Sequence, residues 1–167
     1  MKLLGSVLIL ACSVVPSAAI AGAQAAVTVA PDDLHGPRVL QEQTKAAVVR
    51  DYLQAWQTFK AALDQNRPDL LVTDFVGTAK EKISGTIQQQ AALGIRTQYK
   101  DISHNLQLVF YSPEGLSIQL IDKVDYDVQI LDHDKVQTTQ RVHARYIVVL
   151  TPAEVRWRVR VFQADPE

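Results

Sequence analysis

The sequence predicts an α+β domain in which N-terminal helices pack on a mostly antiparallel sheet of four or more strands. Up to about Leu93 the apolar residues recur at helical spacing, and from Ile102 onward they alternate with polar residues, as in strands. The clearest alternation runs from Gln137 to Gln163, which we interpret as two antiparallel strands joined at Thr151–Glu154. One face of this hairpin is apolar, so the helices must cover it.

The alternation in the two C-terminal strands also predicts which residues pair between them and which side chains lie on the outer face of the sheet. The apolar residues pair as follows: Leu150 with Val155, Val148 with Trp157, Tyr146 with Val159 and Ala144 with Val161. The outer face carries arginines interleaved with apolar side chains: Arg141, Arg145, Arg156, Arg158 and Arg160 beside Ile147, Val149 and Phe162. Because arginine among apolar neighbours is typical of interfaces, this face predicts contact with a second copy or with another protein. A solvated sheet face is the alternative.

Three helices are predicted before the sheet. The first spans about Gln41 to Gln65 and has an apolar stripe of Val48, Val49, Tyr52, Trp56, Phe59 and Leu63. It ends at Asn66–Pro68, since proline cannot continue the hydrogen-bond ladder. A short helix from Pro68 to Phe75 and a third from about Thr78 to Leu93 follow, the third closed by Gly94.

Two further strands precede the C-terminal pair. In the first, Leu106, Leu108 and Phe110 form the apolar face, and Ser112–Gly115 then turns the chain. The second spans Leu116 to Leu131 and has apolar residues at Ile118, Leu120, Val124, Tyr126, Val128 and Ile130. After a turn at Asp132–Asp134, the predicted pairing sets Val124 opposite Val142 and Asp125 opposite Arg141.

The first 25 residues predict a secretory signal peptide. Lys2 precedes an apolar run from Leu3 to Val15, and small residues with A-x-A spacing follow. The run is too short and interrupted for a permanent membrane span, so we expect an exported protein, periplasmic or extracellular. Residues 26–40 are predicted to be a flexible lead-in and residues 41–163 the domain. Acylation of Cys12, as in a lipoprotein, is the alternative fate of the leader.

Composition excludes several classes of function. Removing Lys2 with the leader takes the net charge from −1 to −2, which argues against nucleic acid as a partner. Cys12 is the only cysteine, so the exported domain has no disulfide. Nucleotide and hydrolase fingerprints are absent from the sequence, no histidine pair has metal-binding spacing, and the acidic residues near Asp132 lack an EF-hand pattern. We therefore expect no cofactor and no metal.

The chain resembles the nuclear transport factor 2-like superfamily, also called SnoaL-like or cystatin-like. The resemblance lies in the aromatic helix segment Tyr52–Trp56, the break at Asn66–Asp69 and the last strand Val155–Val159. It implies a strongly bent, cone-like sheet with a pocket under the first helix. Ketosteroid isomerase, scytalone dehydratase and limonene epoxide hydrolase share this fold with many domains that only bind or assemble, including bacterial envelope proteins. No catalytic pattern of the enzymes is matched here.

Two sets of candidate site residues follow. Asp122 is the one carboxylate on the predicted inner face, where burial would raise its pKa and suit it to act as a general base. The alternative is a bulge at Asp122–Lys123 that turns the carboxylate to solvent. The second set comprises aromatic residues that either line a pocket for a small apolar ligand or belong to the core: Tyr52, Trp56, Tyr126, Tyr146 and Trp157.

The sequence thus predicts an exported, non-catalytic binding or assembly module of the cell envelope. The alternative is a small pocket enzyme of isomerase or dehydratase type that uses Asp122.

Overall fold

The computed structural model describes residues 24–165, so the predicted signal peptide and Cys12 lie outside the described residues. Two helices and one 3₁₀ helix precede most of the sheet, which confirms the α+β prediction. The elements in chain order are β1 Ala26–Val29, α1 Glu42–Gln65, a 3₁₀ helix Pro68–Val72, α2 Gly77–Ala92, β2 Ile95–Tyr111, β3 Ile118–Asp132, β4 Lys135–Pro152 and β5 Trp157–Asp165.

The five strands form one sheet in the order β1-β2-β3-β4-β5. β1 is parallel to β2, and the other neighbours are antiparallel. The helices lie against the concave face, and the core between the two layers includes Trp56, Leu108 and Leu120, all fully buried. This is the strongly bent, helix-covered sheet that the sequence predicted.

Helix α1 ends where the sequence predicted. Asn66 adopts a left-handed conformation with φ 53°, and its N–H donates to the carbonyl of Ala62. The Asn66 side chain also donates to the Ile95 carbonyl at 2.9 Å, which ties the end of α1 to the start of β2. The short second helix is a 3₁₀ helix that stops at Val72 rather than at Phe75.

The predicted register between β4 and β5 is wrong. Leu150 pairs with Val159 and Val148 with Phe162, because β5 begins only at Trp157 and Arg160 is an extra residue in a bulge. Val159 exchanges backbone hydrogen bonds with Asp74 and Val76, which anchors the strand before the bulge. As a consequence Phe162 points inward and Val161 outward, the reverse of the prediction.

Two further register predictions need correction. Val124 pairs with Ala144, so Asp125 lies opposite His143 and Arg141 lies opposite Asp127. In β2, Val109 is an extra residue, so Phe110 pairs with Gln119 on the outer face and Tyr111 takes the buried position opposite Ile118. Alternation alone does not show where a strand inserts one residue.

The segment predicted to be a flexible lead-in begins with β1. After this strand, the backbone N–H groups of Ala30, Asp33 and His35 donate to carbonyls of β2 between Leu106 and Val109. All four residues of β1 are exposed, so the strand is held mainly by these backbone bonds. The lead-in therefore covers one part of the β2 edge.

Candidate functional site

A buried polar cluster lies at the centre of the sheet. β3 keeps its alternation at Asp122, so the carboxylate points inward and is fully buried, without the bulge considered as an alternative. Its Oδ2 accepts a hydrogen bond of 2.6 Å from the Tyr52 hydroxyl and lies 2.7 Å from Nδ1 of His104. His104 is only 2% exposed.

The protonation of this cluster follows from its geometry. Burial, and then the charge of Asp122, raise the pKa of Tyr52 well above its ordinary value, so the hydroxyl keeps its proton and donates it. The second hydrogen bond joins Asp122 Oδ2 to Nδ1 of His104 at 2.7 Å. Asp122 Oδ1 and His104 Nε2 are buried and have no hydrogen-bond partner among the described residues. The cluster thus resembles an acid–base pair with one unused atom on each member.

The indole of Trp56 occupies the interior of the cone. Its ring centroid lies 5.0 Å from that of His104, edge to face, and 5.5 Å from that of Tyr146. Nε1 donates to Asp101 Oδ1 at 2.9 Å, and Asp101 also forms an ion pair with Lys60. The indole is therefore held in place between the His104–Asp122 pair and the mouth of the cone.

A small apolar pocket lies at that mouth, between α1, α2 and the sheet. Its volume is about 270 Å³. It is lined by Phe59, Leu63, Lys82, Ile83, Thr86, Thr97, Tyr99, Tyr146 and Phe162. The Tyr146 hydroxyl lies 3.3 Å from that of Tyr126, and burial raises the pKa of Tyr146 above its ordinary value. The pocket thus combines apolar walls with neutral phenols and one lysine at the rim.

A second, polar cleft of about 550 Å³ flanks the other side of α1. Its lining is rich in amides and charges: Gln57, Lys60, Ala61, Asp64, Gln65, Gln98, Tyr99, Lys100, Asp127 and Gln129. Two of these groups already bond each other, since Gln98 donates to Asp64 Oδ1 at 2.9 Å. In residues 24–165 no group of three or more His, Cys, Asp or Glu side chains is arranged to hold a metal ion.

The predicted aromatic residues separate into three locations. Tyr146 lines the apolar pocket, and Tyr126 lies behind it, bonded to the Tyr146 hydroxyl. Tyr52 and Trp56 are fully buried in the core. Trp157 is half-buried at the start of β5, where its backbone N–H donates to Asp51 Oδ2 at 2.8 Å.

The arginines predicted for the outer face are largely paired within the chain. Arg141 contacts Asp127, Arg145 contacts Asp165, and the Arg156 guanidinium lies 2.9 Å from Asp74. Arg158 donates to the carbonyls of Val72 and Phe75, so it points toward the connection between the 3₁₀ helix and α2. Arg160 is exposed at the bulge. The outer face instead presents half-buried apolar side chains at Ile121, Ile147, Val149 and Val161.

His104 is the site residue that sequence reasoning missed. It has the same parity as Leu106 and Leu108, which was a signal that it faces inward. Asp101 also faces inward, although it lies three positions away, because Ile102 is an extra residue between the Asp101–Tyr126 and Ser103–Asp125 pairs. Sequence alternation predicts the first of these placements but not the second.

Comparison with known proteins identifies the fold. No protein-family model matches the chain, and no sequence among the curated proteins matches it. The intermembrane space region of the chloroplast protein ARC6 is similar in structure, with TM-score 0.61 and 14% identity over 78% of this chain and all of that one. A protein named provisionally as a scytalone dehydratase, from Novosphingobium aromaticivorans, has TM-score 0.51 and 11% identity over 75% of this chain and 89% of that one. The chain therefore shares the α+β cone fold of these two structures, the fold that the resemblance to the nuclear transport factor 2-like superfamily implied. Within residues 24–165, no helix is long and apolar enough to cross a membrane.

Proposed function

We propose that this cone-fold domain is an exported, non-catalytic binding or assembly module that holds an apolar group in the pocket between α1, α2 and the sheet. The observation that carries the proposal is the position of Trp56. Its fully buried indole lies between the pocket and the His104–Asp122 pair, so a group in the pocket does not reach the carboxylate. The leader sequence supports export.

The pocket has the character of a binding site. Apolar and aromatic side chains supply most of its walls, and Thr86, Thr97 and Lys82 place polar groups at its edge. Tyr146 and Tyr99 remain neutral because burial raises the pKa of both, so the phenols act as hydrogen-bond donors rather than charges. An apolar group with one polar or anionic end fits this arrangement.

The fluorescence of 1-anilinonaphthalene-8-sulfonate tests the proposal, because this probe joins an apolar ring system to a sulfonate. We expect saturable binding to the folded domain. Thr86→Trp should abolish it by filling the mouth, whereas Gln88→Trp, on the exposed side of the same helix, should leave it unchanged. Equal binding by both variants would show that the probe is bound elsewhere and would refute the pocket.

The polar cluster favours a second candidate function, an isomerase or dehydratase. Asp122 would act as the base that removes a proton next to a carbonyl, with His104 and Tyr52 bonded to it. Trp56 would have to leave its position for a substrate to enter. Conversion of a β,γ-unsaturated ketone to its conjugated isomer, followed by absorbance, tests this candidate. Turnover that Asp122→Asn abolishes would replace the binding proposal.

For the partner of an assembly module, we propose a second copy that contacts the apolar strip of the outer sheet face. Ile147 and Val149 on β4 and Val161 on β5 are half-buried there, and the neighbouring charges are paired within the chain. Light scattering should give twice the monomer mass for the wild type and the monomer mass for Val149→Lys. A wild-type monomer at tens of micromolar would refute the homodimer and leave another envelope protein as the partner to seek.

A further inference from the structure

In the part of the chain that the structure describes, one edge of the sheet next to the pocket has no partner strand. β4 extends from Lys135 to Pro152, but β5 pairs only with its second part, from Arg145 onward. Within residues 24–165, no strand pairs with the free side of Lys135–Ala144. The side chains from Lys135 to Arg141 are all exposed. This stretch is bonded only to β3, through pairs such as Asp132–Lys135 and Tyr126–Val142.

The unpaired edge presents a specific chemistry. In an antiparallel strand, alternate residues direct their N–H and C=O groups to opposite sides, so about five residues of this stretch face outward. Backbone groups in such a row bind another extended backbone, and natural proteins usually protect a long free edge with proline, a bulge or a covering element. Within the described residues, the edge from Lys135 to Ala144 contains no proline, and its one bulge, at Gln137, leaves the seven residues from Thr138 to Ala144 in regular register with β3.

The edge leads directly to the apolar pocket. A strand added beside β4 would continue the line of β5, whose last described residue, Asp165, lies opposite Arg145. Its inward side chains would pass over Val142 and Ala144, which are half-buried, toward Tyr146 and Phe162 in the pocket wall. The free edge and the pocket therefore form one continuous surface.

The pocket volume indicates what this surface holds. At about 270 Å³ it lies below the range of about 300–1,000 Å³ that is usual for complete small-molecule sites. One large apolar side chain would fill most of it. In strand addition, the backbone bonds supply affinity while such a pocket selects the side chain.

We propose that the Lys135–Ala144 edge and the apolar pocket together bind an extended peptide segment of another protein. The segment adds as a strand beside β4 and places one large apolar side chain in the pocket. This inference rests on the proposed function, namely that the pocket takes an apolar group.

A second copy of the same edge is a poorer occupant. Its inward residues are Thr138, Gln140, Val142 and Ala144, none of which is aromatic or long enough to fill the pocket, and Val136, beyond the bulge at Gln137, lies on the other face opposite Leu131. The chemistry therefore favours a different chain with an aromatic or long aliphatic anchor.

A phage-displayed library of linear peptides, selected on the wild-type domain, supplies the probe. We expect the selected peptides to share one large apolar residue. On binding, outward amides between Lys135 and Ala144 should gain protection from hydrogen exchange measured by NMR, whereas the amides of β1 should not. Thr86→Trp should weaken the peptides about ten- to hundredfold, because the anchor loses its site.

Two proline variants test the edge itself. Thr138→Pro and Thr139→Pro are neighbours, so one removes an outward N–H while the other removes a bond to β3. The variant that keeps the wild-type fold, judged by its NMR spectrum, should lose peptide affinity; Glu114→Pro in the distant β2–β3 turn should not.

Several results would overturn the inference. The first is that bound peptides leave the Lys135–Ala144 amides unprotected, and the second is that a folded edge variant binds the peptides with unchanged affinity. The third is that the wild type is a dimer in which these amides are already protected, because the occupant would then be a second copy. The anilinonaphthalene assay separates the two proposals. If the dye binds the pocket but no peptide binds the edge, only the inference is refuted. If the dye does not bind the pocket either, the proposed function is refuted as well.

Discussion

The bond between Tyr52 and Asp122 gives a quantitative test of the buried cluster. Tyr52→Phe removes a buried hydrogen bond of 2.6 Å to a carboxylate. Bonds of this kind contribute about 1.5–3 kcal/mol to the free energy of unfolding. Asp122→Ala removes the hydrogen-bond partner of both Tyr52 and His104 and leaves two buried polar groups unpaired, at about 1–3 kcal/mol each. Against a total stability of about 5–15 kcal/mol, the second change is severe.

The two changes should be strongly coupled. Without the carboxylate, the Tyr52 hydroxyl is a buried donor with no acceptor, so Tyr52→Phe in the Asp122→Ala background should be neutral or stabilising. Urea titration of the four proteins gives the coupling energy from the midpoints, provided that the slope stays constant. Tyr111→Phe is the matched control, because within residues 24–165 that buried hydroxyl makes no bond to a carboxylate, and it should change stability by less than about 0.5 kcal/mol. An equal cost of Tyr52→Phe in both backgrounds would show that the hydroxyl does not bond to Asp122.

Three more predictions concern packing, pH and processing. Trp56→Ala should cost about 3–5 kcal/mol in urea titration, because the indole is fully buried, whereas Trp157→Ala should cost clearly less; the reverse order would mean that the interior is assigned to the wrong tryptophan. Burial raises the pKa of Tyr52, Tyr99 and Tyr146, so the unfolded chain loses these protons first and stability should fall as the pH rises above about 10.0; an absorbance titration in which all five tyrosines ionise reversibly near that pH without unfolding would contradict this. N-terminal sequencing of the exported protein should place cleavage between Ala21 and Ala26, which leaves β1 intact, and an acylated Cys12 at the mature N-terminus would contradict the predicted leader.

Most of the fold could be predicted from the sequence, but the short elements and the exact strand registers could not. Helical spacing around Trp56 and strict alternation from Ile118 to Val128 identified the layers, because each pattern has one physical solution with its apolar side buried. The same alternation placed Asp122 inside. The 3₁₀ helix after Pro68 and β1 were not predicted, since short elements held by backbone bonds have almost no periodicity.

The bulges explain why the site was less predictable than the fold. An extra residue at Ile102, Val109, Gln137 or Arg160 reverses the parity of everything beyond it, and no residue type marks the place. The inward position of Phe162, which completes the pocket, depends on the bulge at Arg160. Asp101 reaches Trp56 only because of the bulge at Ile102. Pairwise contacts between distant segments fix these insertions, so they are invisible to local patterns.

The same two bulges determine where this cone can act. The bulge at Ile102 aims Asp101 at the indole nitrogen of Trp56, and the bulge at Arg160 brings Phe162 to 5.7 Å from the same ring system. Both therefore fill the interior that a catalytic carboxylate would need to share with a substrate. What stays open is the mouth, bounded by Tyr146, Phe162 and the end of β5, where a free strand edge begins. This arrangement supports the proposed recognition of an apolar group at the rim, and the proposal assigns buried Asp122 a role in stability rather than in proton transfer.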